Sequence, residues 1–343
     1  MTSIIKFKPV AKRLLAVLPD RVRNVVVLRF GLEDGSRQTL ESIGKRYGVT
    51  RERIRQIEDF GLKSIRKSDA YTNESDTFLA LEQSMREYGG GIVPEKEFLS
   101  SLHKDDDMYN HIYFLLMLGE PFTKERENDQ FTHRWVVDAD IAGSVHLALQ
   151  SLAKSFGSND LMTEDELVER FVAELGKHSV PVSYREPVYA RRWLDLSKEV
   201  GMNPLGEWGS TFSPNVNARG IRDFAYLVIR RHGSPMHFTE VAGAIEKSFN
   251  KKAHVATCHN ELIKDTRFVL VGRGLYALKE WGYAEGIVRD VICDILEKHG
   301  PLSRDAIVEY VMKERYVKPN TILVNLQNGT HFRKNSDGTY QVK

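Results

Sequence analysis

Cysteine is scarce in this chain of 343 residues, because only Cys258 and Cys293 occur. They lie far apart and outside any Cys-x-x-Cys spacing, which excludes a disulfide framework and argues against a structural zinc site. Long apolar runs are also missing. The longest, Ile112 to Leu118, is far shorter than the roughly 20 residues that cross a bilayer, and the amino terminus lacks a signal-peptide layout. We expect a soluble, cytoplasmic protein.

Catalytic motifs are absent as well. The sequence has no Gly-rich phosphate loop ending in Lys-Ser/Thr, no GxSxG elbow, no HExxH and no HxE…PCxxC. Cys258 and His259 are neighbours, but adjacent residues on a helix diverge and do not face each other. We therefore predict no enzyme, no catalytic residue, no metal, no cofactor and no small-molecule substrate.

The net charge of +2 conceals an uneven distribution. Residues 1–74 hold 16 lysines and arginines against 9 aspartates and glutamates, residues 75–214 hold 13 against 24, and residues 215–343 hold 20 against 14. Basic segments attract the phosphate backbone of nucleic acids, and acidic segments are repelled by it. We expect the two ends to bind DNA and the acidic middle to serve as a spacer or a protein-binding region.

One pattern recurs four times: a short amphipathic helix ending near a glycine, then a second helix with an acidic residue near its start. The glycines of the four copies are Gly89, Gly157, Gly233 and Gly300. With the segment that precedes them, these copies predict five domains: residues 1–74, 75–138, 139–214, 215–283 and 284–343.

Each copy is expected to close with a β-hairpin, the wing of a winged helix. The predicted wings are Phe268–Leu270 with Leu275–Leu278, a hairpin turning at Asn335–Gly338, residues 130–137 with Trp135 as the packing residue, and residues 205–212. The predicted fold is thus mainly α, a helix-turn-helix followed by four tandem winged-helix-like modules. The alternative is a helical array whose hairpins only cap each core.

Residues 39–67 predict a helix-turn-helix. Thr39 is placed to cap a first helix, Gly48 to supply the turn and Thr50 to cap a second helix running to about Lys67. An apolar stripe along the second helix is expected to pack on the first helix, and its members are Ile54, Ile57, Gly61 and Ile65.

The opposite arc of the second helix carries Arg51, Glu52, Arg55 and Gln56. Arginine can bond guanine, glutamate can accept from cytosine and glutamine can bond adenine, so this arc suits major-groove readout. The alternative is an ordinary solvated face. Arg51, Arg53 and Arg55 crowd a helix start, where the helix dipole disfavours cations, and a DNA contact would explain that cost.

These residues resemble region 4 of the sigma-70 family of bacterial RNA polymerase initiation factors. The resemblance covers residues 18–67 and is carried by Leu18–Arg21, Leu28–Gly35, Thr39–Gly44 and the run GVTRERIRQIE from Gly48. It implies that the second helix reads a −35-like promoter element and that the domain docks on the β-flap of RNA polymerase. By position, Arg51, Glu52, Arg55 and Gln56 become base contacts, and Arg21 and Arg29 become phosphate contacts. Arg53 is also predicted to contact phosphate, because it is one of the cations at the start of the second helix.

Nothing in the sequence resembles sigma region 2, which captures and melts the −10 element in that family. We therefore predict that the protein is not a complete sigma factor. Residues 220–278 in turn resemble the HARE-type winged helix, which is related to the amino-terminal domain of the RNA polymerase delta subunit. The resemblance is carried by Arg222–Tyr226, Gly233–His237, Glu240–Val241 and Arg267–Leu278.

In this winged helix, residues 253–264 are the candidate recognition helix. Lys251, Lys252 and Arg273 are the candidate phosphate contacts. The alternative is a protein-binding winged helix whose polar faces are only solvated.

Three functions are compatible with the sequence. The first is a sequence-specific, nucleoid-associated transcription regulator that binds double-stranded DNA. The second is an accessory factor that binds RNA polymerase core and has weak DNA binding. The third is the DNA-binding subunit of a restriction or modification system. Loss of a selected motif on Arg55→Ala would favour the first.

Overall fold

The computed structural model describes residues 5–157, 159–283, 286–327 and 329–343, without the side chains of Asp106 and Asp107. It is mainly helical with small sheets, and the chain divides into two compact units, Met1–Gly201 and Met202–Lys343. Within the described ranges, no helix combines the length and the apolar character needed to span a membrane.

The first unit opens with five helices: α1 (Phe7–Leu15), α2 (Asp20–Phe30), α3 (Leu40–Tyr47), α4 (Arg51–Arg66) and α5 (Asp69–Thr72). Next come α6 (Ser75–Gly89), β1 (Ile92–Pro94), α7 (Glu95–Leu102), α8 (Asp106–Leu118), β2 (Thr123–Glu125) and β3 (Arg134–Val136). The last elements are α9 (Ala139–Lys154), α10 (Glu164–Lys177), a 3₁₀ turn (Val182–Tyr184), α11 (Pro187–Leu194) and β4 (Val200–Met202), which reaches the division between the units.

One hydrophobic core runs through α1, α2, the end of α4, α6 and α8. In α8, five apolar side chains are fully buried: Ile112, Phe114, Leu115, Leu116 and Leu118. Because these side chains point around most of the helix, α7 and the sheet alone cannot cover them, and the helices that precede residue 75 complete the enclosure. The core therefore continues across residues 74 and 75, where the sequence division places a boundary; that five-domain division stays a prediction.

The strands of residues 92–136 form an antiparallel sheet in the order β1-β3-β2. Trp135 on β3 is fully buried, as its predicted packing role requires. The predicted wing at residues 130–137 contains only the second strand of this hairpin. The first strand, β2, has the sequence Thr-Lys-Glu and carries no apolar signal. The predicted hairpin at residues 205–212 also misses its first strand, because β4 lies upstream of it.

The second unit opens with β5 (Trp208–Ser210), α12 (Ile221–His232), β6 (Met236–His237), α13 (Phe238–Phe249), α14 (Val255–Lys264), β7 (Phe268–Gly272) and β8 (Leu275–Leu278). A 3₁₀ turn (Lys279–Trp281) leads to α15 (Val288–His299), α16 (Arg304–Glu314), α17 (Pro319–Leu326), β9 (Phe332–Lys334) and β10 (Tyr340–Val342). The predicted hairpins β7–β8 and β9–β10 are both confirmed.

Residues 75–136 and 221–278 share one element order: helix, strand, helix, helix, strand, strand. Their sheets also share one strand order, since β6-β8-β7 repeats β1-β3-β2. The last two copies agree in detail, because Asp223 accepts from the Gly220 amide and Asp290, 67 positions later, accepts from the Ile287 amide. This order fits the winged-helix plan, and the assignment of all four copies to that fold stays a prediction.

Candidate nucleic-acid interface

Helices α3 and α4 form the helix-turn-helix that the sequence predicts. The Thr39 hydroxyl accepts from the Ser42 amide at 3.1 Å, and the Thr50 hydroxyl accepts from the Arg53 amide at 3.2 Å. Gly48 ends α3 with φ 66°, a left-handed backbone conformation that residues with a Cβ rarely adopt. Both predicted caps and the turn glycine are confirmed, and they fix where α4 begins.

The apolar stripe of α4 packs against three different partners. Ile54 is fully buried and Ile57 partly buried in a small core with Ile43 of α3. Gly61 instead lies against α2, where an added Cβ would be 3.0 Å from the side chains of both Val22 and Val26. Ile65 belongs to the large core shared with α8. The prediction that the whole stripe packs on α3 is therefore wrong for its second half, because α3 is too short to reach beyond the first turns of α4.

Arg51, Glu52, Arg55 and Gln56 are all exposed, on the first two turns of α4. The Arg55 guanidinium donates to the Glu52 carboxylate, with Nη2 to Oε1 at 2.8 Å and Nε to Oε2 at 3.0 Å. These hydrogen bonds from Arg55 lower the pKa of Glu52, and they raise the pKa of Arg55 in return. Arg53 donates to the Gln56 amide oxygen at 3.1 Å. Glu52, Arg53, Arg55 and Gln56 thus satisfy one another in two exposed pairs, and base edges could replace those bonds at little cost.

The predicted phosphate contacts of the first unit differ in their availability. Arg21 is exposed and lies 6.0 Å from the centre of the Tyr47 ring. Arg29 is half-buried and donates to the Glu58 carboxylate at 3.3 Å and to the Gln38 carbonyl at 3.1 Å. Arg29 thus ties α2 to α4 and to the loop before α3. Its role at phosphate stays a prediction, as does that of the exposed Arg53.

In the second unit, Lys252 and Arg273 are exposed, and Arg273 lies at the turn between β7 and β8. Lys251 donates to the Arg219 carbonyl at 3.0 Å and lies 4.5 Å from the centre of the Phe224 ring. The candidate recognition helix, predicted from residue 253, begins at Val255. Its His259 stacks on Phe238 with ring centres 4.2 Å apart, which makes this histidine part of the packing between helices.

A cleft of about 610 Å³ lies beside α4, and the sequence did not reveal it. The cleft lies between α4 and the β2–β3 hairpin, and its walls are formed by residues in the ranges 29–40, 51–62 and 113–133. Its cationic lining residues are Arg29, Arg37, Arg51, Arg55, Lys124 and Arg126, with His133. Arg37, Lys124 and Arg126 escaped prediction because no motif contains them, and because the segment that holds the last two is acidic on average.

Residues 14–67 match the family model of sigma-70, region 4. Over 52 residues the chain is 58% identical to the RNA polymerase sigma factor SigA of Listeria monocytogenes. That match spans 15% of this chain and 14% of the length of the relative. Residues 14–67 therefore form a sigma-70 region 4 domain, a helix-turn-helix DNA-binding module of the kind found in sigma factors. The rest of the chain lies outside the similarity.

Proposed function

We propose that this protein is a sequence-specific DNA-binding transcription regulator that reads a −35-like element through α4. In this proposal the chain acts by binding DNA and has no catalytic activity. It is located in the cytoplasm and is associated with the nucleoid. The observation that supports it is the first two turns of α4, where four side chains suited to base readout are exposed on a helix that Thr50 caps and whose apolar side is buried. It is not a complete sigma factor, because the similarity covers region 4 and leaves the rest of the chain outside it.

The second unit adds affinity in this proposal. Residues 220–278 are taken as a winged helix of the HARE type, with the exposed Lys251, Lys252 and Arg273 as its phosphate contacts. Contacts from such side chains to phosphates are sequence-independent and weaken with salt. Base readout by α4 and phosphate contacts from the second unit would then act on one duplex.

Selection from a random duplex pool with the full chain tests the proposal. The expected result is a defined motif, and Arg55→Ala should cost about 1–3 kcal/mol on that motif and relax the preference at the contacted base pair. Lys45→Ala is the matched control, since Lys45 is an exposed cation on α3 in an ion pair with Glu41 at 3.0 Å. It should leave the motif unchanged. A wild-type chain that selects no motif would contradict the proposal.

The similarity to a polymerase sigma factor favours a second candidate, an accessory factor that binds RNA polymerase core through the β-flap. The apolar sides of α1, α2 and the end of α4 are covered by α8, so they cannot accept a helix from a partner. Phe60, which is 56% exposed on α4, is the large apolar side chain left on that helix. Capture of core polymerase that is lost on Phe60→Ser, without a selected DNA motif, would favour this candidate.

A further inference from the structure

The cleft beside α4 has a charge that the acidic middle of the sequence does not suggest. One wall is α4 with Arg51 and Arg55, and the other is the β2–β3 hairpin with Arg126 and His133. We propose that this cleft holds the phosphate backbone of the DNA strand that flanks the groove read by α4, and that Arg126 is a phosphate contact. The hairpin of residues 123–136 would then be a second DNA-binding element in the first unit.

Some charges of the cleft are already neutralised within the protein. Lys124 pairs with Glu95 at 2.7 Å and donates to the Tyr113 hydroxyl at 3.1 Å, and its side chain is only 19% exposed. The two carboxylates of the lining are paired as well. Glu58 accepts from Arg29 at 3.3 Å and Asp59 from Lys63 at 2.8 Å. A phosphate in the cleft would therefore not face an uncompensated carboxylate from the lining.

Three other cations of the cleft, Arg51, Arg126 and Arg37, are available to a ligand. Arg51 and Arg126 are exposed, and within the described residues neither guanidinium makes a hydrogen bond or an ion pair. Arg37 donates Nε to Asn110 at 2.6 Å and stacks its guanidinium 3.8 Å from the centre of the Tyr113 ring. That stacking holds a planar group with unused donors at the cleft, the geometry that suits phosphate oxygens.

The position of the cleft beside the base-reading arc of α4 favours a polymeric anion over a single one. Arg51 and Arg55 line the cleft and also belong to the base-reading arc of α4. When a helix enters the major groove, the strands that border the groove lie along its flanks, so the hairpin wall would face one of these strands. His133 is engaged within the hairpin and is not counted as a phosphate contact, because its Nδ1 accepts from the Glu127 amide at 3.1 Å and its Nε2 lies 3.8 Å from the Glu127 carboxylate.

This inference rests on the proposed function, since α4 sets where the duplex lies, but Arg126 can be tested separately. The full chain is titrated with its selected duplex and with a scrambled duplex, over a series of salt concentrations. Arg126→Glu should weaken both by a similar factor, at least threefold at low salt, and reduce the slope of log affinity against log salt by about 0.9. The preference for the selected sequence should stay unchanged. Circular dichroism and thermal unfolding verify that the variant is folded.

The matched control is Lys12→Glu, an equal charge change at an exposed site on α1 outside the cleft. It should change affinity much less than Arg126→Glu. Equal effects of the two variants would overturn the inference, while loss of the motif on Arg55→Ala would still support the proposed function. Calorimetric titration with inorganic phosphate at matched ionic strength adds a further arm. Phosphate binding that is as tight as duplex binding and is lost on Arg126→Glu would assign the cleft to a free anion and overturn the inference.

Discussion

Helices α8 and α14 hold the same place in the shared element order, yet their surfaces differ. Five apolar residues of α8 are fully buried, and they pack against helices on both sides. In α14 only Cys258 and Leu262 are buried, while Ile263 is 62% exposed. The position of a helix in this plan therefore does not decide its role. The distribution of apolar residues around the helix decides whether it becomes core or is left free for a partner.

Polar contacts strengthen the attachment of α8 to the helix-turn-helix. Arg66 of α4 donates to the Leu118 carbonyl at 2.9 Å and to the Met117 carbonyl at 2.7 Å, which caps the end of α8. Asn110 is buried and donates to the Gly31 carbonyl at 3.0 Å. The sigma-70 region 4 domain is thus built into a larger unit. Its motion as an independent arm would require separation of that shared core.

The largest expected effect comes from breaking the shared core at Phe114, which is fully buried and packs edge-on to Phe30 at 5.2 Å. Phe114→Ala should lower the free energy of unfolding of the first unit by about 3–5 kcal/mol. Because one core serves both segments, amide hydrogen exchange should accelerate in α3 and α4 as well as in α6. Leu262→Ala in α14 is the control, and it should leave exchange in α3 and α4 unchanged. Protection of α3 and α4 that survives Phe114→Ala would contradict a shared core.

A buried ion cluster stabilises the second unit, whereas α8 joins the parts of the first unit. Arg267 donates to Asp223 at 3.0 Å and to Asp265 at 2.6 Å, and the Asp223 side chain is only 8% exposed. Arg267→Met should leave Asp223 buried without its cation and cost about 3–5 kcal/mol in the second unit alone. Asp223→Asn added to Arg267→Met should recover part of that loss in urea unfolding. Equal stability of the single and double variants would show that the charge on Asp223 is not the cause.

The two units should also differ in the pH range where they lose stability. In the first unit, burial beside Phe131, aided by the charge of Arg134, lowers the pKa of His146 to about 4. The unfolded chain, with a histidine pKa near 6.5, binds a proton first, so the contribution of His146 to stability should fall from about pH 6.5 to pH 4 by roughly 2–3 kcal/mol. Burial raises the pKa of Asp195 to about 6, and its protonation adds stability over the same interval, so the His146 contribution is measured as the difference between wild type and variant. His146→Phe should remove this dependence in urea unfolding at several pH values. An unchanged pH profile in that variant would assign the dependence to another group.

In the second unit, burial would raise the pKa of Asp265, but hydrogen bonds from Arg267 outweigh it and hold the pKa below its usual value. The stabilisation that ionised Asp265 provides is therefore present above pH 4. It is lost only as the pH falls through the lower pKa of the folded state. We expect the second unit to retain the Asp265 contribution between pH 6.5 and pH 4, where the first unit loses the contribution of His146. Loss of the Asp265 contribution over that interval, measured as the difference between wild type and Asp265→Asn, would contradict the contrast.

The parts of the fold that the sequence predicts are those fixed by near neighbours. The caps at Thr39 and Thr50 each need a backbone amide three residues away, and the turn at Gly48 needs only a left-handed glycine. The partner of an apolar stripe is a tertiary property. The apolar pattern around Gly61 is compatible with packing of α4 on α3 or on α2. Only the structure identifies Val22 and Val26 of α2 as the contacts.

The cleft escaped prediction for a similar reason. Arg37 and Arg126 are 89 positions apart and meet only because α8 brings the β2–β3 hairpin beside α4. Averaging charge over residues 75–214 also hid the local cluster of Lys124, Arg126 and Arg134 within an acidic segment. Charge counted over a whole segment predicts long-range attraction, whereas binding depends on the few charges that share one surface.

The smallest expected effect tests whether α14 is free for DNA, as its exposed surface suggests. Arg273→Ala at the β7–β8 turn should weaken binding of the full chain to its selected and scrambled duplexes equally, by about two- to fourfold, and lower the salt slope by about 0.9. Lys298→Ala, an exposed cation at the end of α15, should have no effect. Equal binding by the Arg273→Ala and wild-type chains at low salt would place the second unit outside the DNA complex. The exposed face of α14 would then be expected to bind a protein partner. Both helices would make protein contacts, α8 within its own chain and α14 with another molecule.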